Sequence, residues 1–377
     1  QKSLFHLSMT IAMIRLESEL RKEKYKTLYE AEIVNMPALT IVALEEPENC
    51  LSPFYLSKIL QQLREVTSEL NVQSVVSSHS SSILTRIDPE AIRYFKLNIN
   101  KQTEVKEILL PPNTDEARKY VKEAVKAYPE LYFSRLVIFG EGDSEEIILP
   151  RLAESKGILL DPAFIAVVPL GGRHVNHFWR LVNDLNIPHI TLLDLDKGRS
   201  GGGWGRIKYV IEQLVALGNP VNKYISEANG TPAQQSLDKM HLWTDYTNMD
   251  GFCTSFETIN IFFSSPLDID WAMLHSFSDE YRGLEKNQKG PQSTIDGAKQ
   301  SVLKTNGDMA LYPDSENENF QWYNYLFLGR GKPATHLNAL SKIENSRLLS
   351  SMPQELERLL NRVNKIIVTL DPEGEAK

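Results

Sequence analysis

Leu4, Leu7, Ile11 and Ile14 recur at three- and four-residue intervals, which puts them on one face of a helix. No Ser, Asp or Pro introduces the run as a cap. With Gln1 in front of it, and neither Met nor signal peptide, the run is expected to lie partway through a domain. Residues 37–44 predict a buried strand through Leu39, Ile41, Val42 and Leu44. A helix is expected over about 53–70, with Leu56, Ile59, Leu60, Leu63, Val66 and Leu70 on one face, then a strand from Val72 to Ser78 that stops at His79. Strand, helix, strand in that order predicts a parallel sheet. Residues 91–110 predict two short strands with Asn98 and Asn100 in the turn, Pro111-Pro112 break the chain, and a polar helix follows over about 114–128. A first domain, the C-terminal part of a larger one, is expected over 1–129.

A second α/β domain is expected over 130–377. Leu136 to Phe139 form its first strand, a GEGDSEE turn feeds a helix through Ile147, Ile148, Leu149 and Leu152, and FIAVVPL is the second strand. A helix with Phe178, Leu181 and Leu185 leads to a third strand, HITLLDLD. The glycines of KGRSGGGWG exclude regular structure there, and Ile207, Val210, Ile211, Leu214 and Leu217 define the next helix. An insertion is expected over about 218–330: CTSFETINIFF reads as strand or short helix, a helix begins near Ser265-Pro266, and 286–322 is polar enough to be mostly loop. A last helix is expected at about 353–364.

Composition narrows the class without choosing a function. The 377 residues suit two or three domains, and 42% apolar with 24% charged residues is ordinary globular usage. No apolar run approaches the ~20 residues of a membrane span, so no membrane partner is expected. Cys50 and Cys253 do not make a disulfide scaffold, which suits a cytoplasmic location. The net charge of -8 counts only weakly against nucleic acid, since local patches decide such binding.

Two groups of carboxylates change the picture. In IVALEEPENCLSP a strand ends in Glu45 and Glu46, and the next strand ends at His79. A strand-end carboxylate can hold hydrated Mg²⁺, a second can polarise the water attacking a γ-phosphate, and a histidine can contact that phosphate. The phosphate cradle G-x-x-x-x-G-K-[ST] does not occur in the sequence, and Gly331-Lys332 is followed by Pro333. In the second domain Glu141 and Glu145 flank a strand-to-helix turn, and alternation puts Asp194 and Asp196 on one side of the third strand. The carboxyl ends of parallel strands share one edge, so the four carboxylates converge and require divalent cations such as Mg²⁺ or Mn²⁺. Arg173, Lys197, Arg199, Arg206 and Lys208 lie near these motifs in sequence, Arg330 directly precedes Gly331-Lys332, and all six suit a polyanion. D-x-D also marks haloacid-dehalogenase-type phosphatases. Those carry it near the domain start with Gly-Thr or Gly-Val following, whereas here Lys197-Gly198-Arg199 follow a third strand.

The first group resembles the Walker B strand, D-loop and switch histidine of ABC-type ATPases. That resemblance makes Glu46 the catalytic glutamate, Leu51-Ser52-Pro53 the D-loop and His79 the switch, with Glu45 in the metal position usually held by Asp. The second group, E-G-x-x-E with D-x-D, resembles the Toprim domain. In tandem they resemble the overcoming-lysogenization-defect (OLD) nucleases, with DLDKGRSGGGWGRIK closest to the class 2 branch. The resemblance implies an endonuclease that cuts DNA with two Mg²⁺ or Mn²⁺ ions, coupled to an ATPase that uses ATP with Mg²⁺. It implies Glu257 as a further metal ligand, with Asp268 or Asp270 as weaker alternatives, and Lys332 as the electrostatic partner of the scissile phosphate. It also implies a homodimer or higher homo-oligomer through the ATPase domain, a defence-system partner protein, and a role in phage defence. An ATP-gated DNA clamp without cleavage and an RNase are the alternatives.

Overall fold

The computed structural model describes residues 2–20, 37–50, 52–68, 71–98, 100–108, 119, 122, 126–171, 175–226, 232–284 and 288–370. The polar helix expected over 114–128 falls largely outside them, as do Leu51 and Arg173. The chain divides into two compact units, Gln1–Ile92 with Lys122–Phe133, and Arg93–Val121 with Ser134–Lys377. No described helix is long and apolar enough to cross a membrane.

In the first unit, strands β1 (Thr40–Glu45) and β2 (Val72–Ser77) pair in parallel, joined by helix Pro53–Thr67. Its core gathers Ile11 and Ile14 from helix Lys2–Leu20, Val42 from β1, and Ile59, Leu63 and Val66. Ile41 and Val75 are exposed, so β1 is not buried on both faces as its apolar run predicts.

The second unit begins with an antiparallel hairpin, β3 (Arg93–Leu97) and β4 (Thr103–Glu107), which the sequence reading had placed in the first domain. Its centre is a parallel sheet in the order β6-β5-β7-β8. The strands are β5 (Leu136–Gly140), β6 (Ile165–Pro169), β7 (His189–Asp194) and β8 (Ile261–Ser264). β5 is buried along its whole length, as an inner strand covered on both faces must be. Register sets Gly140 beside Pro169 and Asp194 beside Ser264, so the strand ends line one edge.

The expected insertion over 218–330 instead completes the core. β8 is the fourth strand, and the polar stretch 286–322 contains helices Ile295–Leu303 and Asn317–Tyr323, which bury Ala298, Val302, Leu303, Phe320 and Tyr323. β8 is short, and those apolar positions are spread thinly among polar ones, so neither stands out from pattern. CTSFETINIFF splits into helix Met249–Glu257 and β8, and the helix expected near Ser265-Pro266 starts at Ile269, where the Asp268 carboxylate caps Trp271 N–H at 2.9 Å. The last helix runs Gln354–Leu370, burying Leu356, Leu359, Leu360 and Val363.

The glycine-rich loop after β7 is tightly built. A Cβ on Gly202 would lie 1.8 Å from the Asp196 carbonyl oxygen. Gly205, in the first turn of helix Trp204–Ala216, has open space around it. Gly202→Ala is therefore expected to lower stability by about 1–3 kcal/mol. Gly205→Ala should leave it unchanged or raise it by up to about 1 kcal/mol. Urea-unfolding midpoints of the two variants check the contrast.

Candidate metal centre

Three carboxylates meet at the edge formed by the ends of β7 and β8. Asp194, Asp196 and Asp268 each bring an oxygen within 4.8 Å of the others. Asp194 is the last residue of β7, and Asp196 follows in a left-handed conformation (φ 52°) that turns the chain into the glycine loop. The Asp196 N–H donates to Leu267 O at 2.7 Å and the Leu195 N–H to Ser264 O at 3.0 Å, which ties this turn to the segment carrying Asp268.

Glu141 and Glu145 reach the same edge from β5. Glu141 Oε1 accepts the Asp194 N–H at 3.0 Å. Glu145 lies in the first turn of helix Asp143–Ser155 and folds back to accept the Gly142 N–H at 3.0 Å. A Cβ on Gly140 would meet the Glu145 side chain at 2.5 Å, so the glycine makes room for that carboxylate.

Burial and mutual repulsion dominate the electrostatics. Burial raises the Asp194 pKa well above the ordinary range, and the charges of Glu141, Asp268, Glu145 and Asp196 add to the rise. Burial pushes Glu145 up to about 8. Burial also raises Glu141 and Asp268, against the pull of Arg206 on the former and Arg199 on the latter. Asp196 behaves differently: burial works against its charge, but Arg206 and Arg199 outweigh that and hold its pKa low.

Those two arginines, which the sequence assigns to a polyanion, contact the carboxylates in the structure. Arg199 bonds Asp196 and lies 3.0 Å from Asp268. Arg206 donates through Nε to Asp196 at 2.9 Å and lies 3.1 Å from Glu141. Both guanidiniums face inward and supply positive charge that the carboxylates require. Lys197 lies over the Tyr246 ring at 5.1 Å, Lys208 donates to Asp238 O at 3.0 Å, and Arg330 bonds Gln288 at 3.0 Å.

Lys332 comes to the cluster through its own anchor. A π-helical turn, Asn324–Gly329, and Gly331 (φ 94°) deliver it to the start of helix Lys332–Leu340. Its ammonium lies 2.6 Å from Asp270 Oδ2, and the charges of Asp270, Asp268 and Asp194 outweigh burial to raise its pKa. Asp270 bonds His336 Nε2 at 2.8 Å, and His336 Nδ1 bonds the Tyr281 hydroxyl at 2.7 Å. His336 and Asp270 are fully buried. Burial opposes the Asp270 charge, but His336 and Lys332 hold its pKa low. Sequence reasoning missed His336 and Tyr281, which stand 66 and 55 positions from their partners, Asp270 and His336, and match no motif.

Glu257 is placed elsewhere. It ends helix Met249–Glu257 and is clasped by Arg358 at 2.8 Å. Asp268, the weaker alternative from sequence, stands in the cluster instead, because β8 and its following turn run alongside β7.

The residues present fit divalent cations. The donors are all carboxylate oxygens, the set that suits Mg²⁺ or Mn²⁺. The Ser144 and Ser264 hydroxyls, one beside Glu145 and one paired in register with Asp194, are buried without hydrogen-bond partners.

In the first unit Glu45 and Glu46 close β1, with Glu46 at φ 42°. His79 Nδ1 lies 3.1 Å from Glu46 Oε1, and Asn49 donates to Glu46 Oε2 at 2.6 Å. The structure thus joins Glu46 and His79 at the carboxyl ends of two parallel strands.

Metal ligands must be deprotonated, so the raised pKa values of Asp194 and Glu145 link metal binding to proton release. Mn²⁺ affinity, measured by titration calorimetry, is expected to climb with pH until about 8, with a heat that depends on the buffer's ionisation enthalpy. The sign reverses for stability of the metal-free protein. Its folded state keeps a Glu145 proton that the unfolded chain loses near 4.5, so this contribution fades as pH rises toward about 8. A flat affinity profile would contradict the assignment.

Residues 132–196, from just before β5 through Asp196, match the family model described as overcoming lysogenization defect protein-like, TOPRIM domain. No curated protein matches the chain. Among solved structures, the chain is similar to the C-terminal region of the Xanthomonas campestris pv. campestris OLD protein. Identity there is 19% over 64% of this chain and 98% of that one, with a TM-score of 0.38. The C-terminal region of the Burkholderia pseudomallei OLD protein gives 18% identity over 62% and 99%, with a TM-score of 0.39. Likenesses this distant carry no weight for mechanism. The chain carries a Toprim domain of the OLD-like kind, a domain that points to nuclease-type chemistry and typically works with divalent metal.

Proposed function

We propose that this protein is a metal-dependent DNA endonuclease whose second unit hydrolyses phosphodiester bonds. The observation that carries the reading is the convergence of Asp194, Asp196 and Asp268 at the carboxyl edge of the sheet, with Glu141 and Glu145 beside them. Asp194, Asp196 and Asp268, supported by Glu141 and Glu145, would hold the cations. When bound, such ions lower the pKa of a water and stabilise the leaving oxygen.

The chain's own groups have distinct tasks. Lys332 keeps its charge, because Asp270 anchors it, and it presents the remaining ammonium donors to a phosphate. His336 and Tyr281 position Asp270 and so fix where that ammonium points. Arg199 and Arg206 compensate the carboxylates and stand ready to face phosphate oxygens as cations take over that compensation. The first unit is read as the Walker B side of an ABC-type ATPase site, on the strength of the Glu46–His79 pair at the strand ends.

Asp194→Asn keeps the side chain's shape and removes one carboxylate from the candidate metal centre. It is expected to lower plasmid nicking in Mn²⁺ by at least about a hundredfold. Its urea midpoint should change little, since burial and the neighbouring carboxylates already favour an uncharged side chain at this position. Undiminished nicking by this variant would overturn the reading. Metal and DNA binding by the unaltered chain without cleavage under Mg²⁺, Mn²⁺ or Co²⁺ would replace it with a DNA clamp.

A further inference from the structure

The second unit holds a cavity of about 520 Å³, within the size range of small-ligand pockets. None of the roles above uses it. Trp271, Ala272, Tyr312 and Met352 give it apolar walls, and Lys197 and Pro266 border it on the side of the cluster. Glu316, Glu355 and His275 supply its polar groups.

The cavity is tied to the metal centre by short covalent and hydrogen-bonded links. Lys197 follows Asp196 directly, one ~3.8 Å backbone step away. The Lys197 N–H donates to Pro266 O at 2.9 Å, and the Tyr312 hydroxyl donates to Lys197 O at 2.7 Å. The Trp271 backbone N–H donates to the Asp268 carboxylate at 2.9 Å. The segments that hold the cluster's aspartates thus also build the cavity wall. A group seated there lies within a nucleotide's reach of a phosphate at the cluster.

The geometry points to a base-binding subsite: the cavity receives an unpaired base of the DNA strand, next to the scissile phosphate. This inference rests on the phosphodiester reading of the adjoining centre. Three features select a base over other parts of the strand. The walls are largely apolar, as enclosing a base requires. Two glutamates inside repel a phosphate. Lys197, between cavity and cluster, suits the backbone phosphate that joins the two. The same glutamates set a preference. A carboxylate accepts hydrogen bonds from exocyclic amino groups, so adenine, cytosine or guanine is favoured over thymine.

The binding arm of the test needs no cleavage. Single-stranded oligonucleotides carrying one 2-aminopurine, walked along the strand, are titrated with the full chain bearing Asp194→Asn. Quenching is expected at one position only. Adding Ala272→Leu, which fills the cavity, should abolish that quenching and weaken binding about tenfold, the loss of one stacked base. Adding Glu355→Gln, a near-isosteric change, should reduce the preference for an amino-bearing base over thymine at that position. Uniform quenching along the strand, or quenching and base preference unchanged by both variants, would overturn the subsite. The cleavage arm sequences the termini made by the chain without substitutions in Mn²⁺, where thymine should be depleted at one fixed position beside the cut. Termini without base bias at any flanking position would also overturn it. Position-specific quenching with no cleavage by the unsubstituted chain would keep the subsite and reject the nuclease reading.

Discussion

Like charges gathered in a half-dry sheet edge constrain everything else in the second unit. Two ionised carboxylates at 4.8 Å repel by about 3–4 kcal/mol at an effective dielectric near 20. Asp194, Asp196 and Asp268 form three such pairs, and Glu141 and Glu145 stand next to them. The fold answers in two ways. It raises the pKa of buried Asp194 and Glu145, which favours their protonated forms, and it brings in Arg199 and Arg206 as internal counter-ions. Both answers are reversible, because a proton or a guanidinium can give way to a cation.

That requirement explains the local architecture around the edge. The glycine loop must return the chain from β7 so closely that Gly202 leaves no room for a Cβ, and this return carries both arginines to the carboxylates. Asp270 obeys a separate logic. It is buried but partnered, by His336 on one side and Lys332 on the other, so its charge is favoured where burial and repulsion disfavour that of Asp194. One acid network is therefore left incompletely compensated and the other is closed. The first is suited to binding cations, and the second to holding a lysine still.

Much of this was legible in the sequence where the signal is local. Alternation predicts Asp194 and Asp196 on one side, and they do meet, though through a left-handed turn at Asp196 beyond β7; the turn after β5 puts Glu141 and Glu145 within reach of the same edge. Where the signal is tertiary, it was not legible. Glu257 and Asp268 both flank the apolar run that becomes β8, and only the pairing of β8 with β7 separates them. Arg199 and Arg206 read as groups for a polyanion, since sequence does not reveal that the carboxylates hold them in the folded chain. Tyr281 and His336 carry no motif, and their partners are far away along the chain. The stretch 286–322 looked like loop because its few apolar residues are dispersed over two helices.

The central claim is that the carboxylate edge is a cation site provisionally neutralised by arginine. Anomalous diffraction from crystals grown with Mn²⁺ tests it most directly. The account predicts anomalous density bounded by Asp194, Asp196 and Asp268, with the Arg206 guanidinium moved off Asp196. Crystals with Mn²⁺ bound elsewhere, and with Arg199 and Arg206 still seated on those carboxylates, would contradict it.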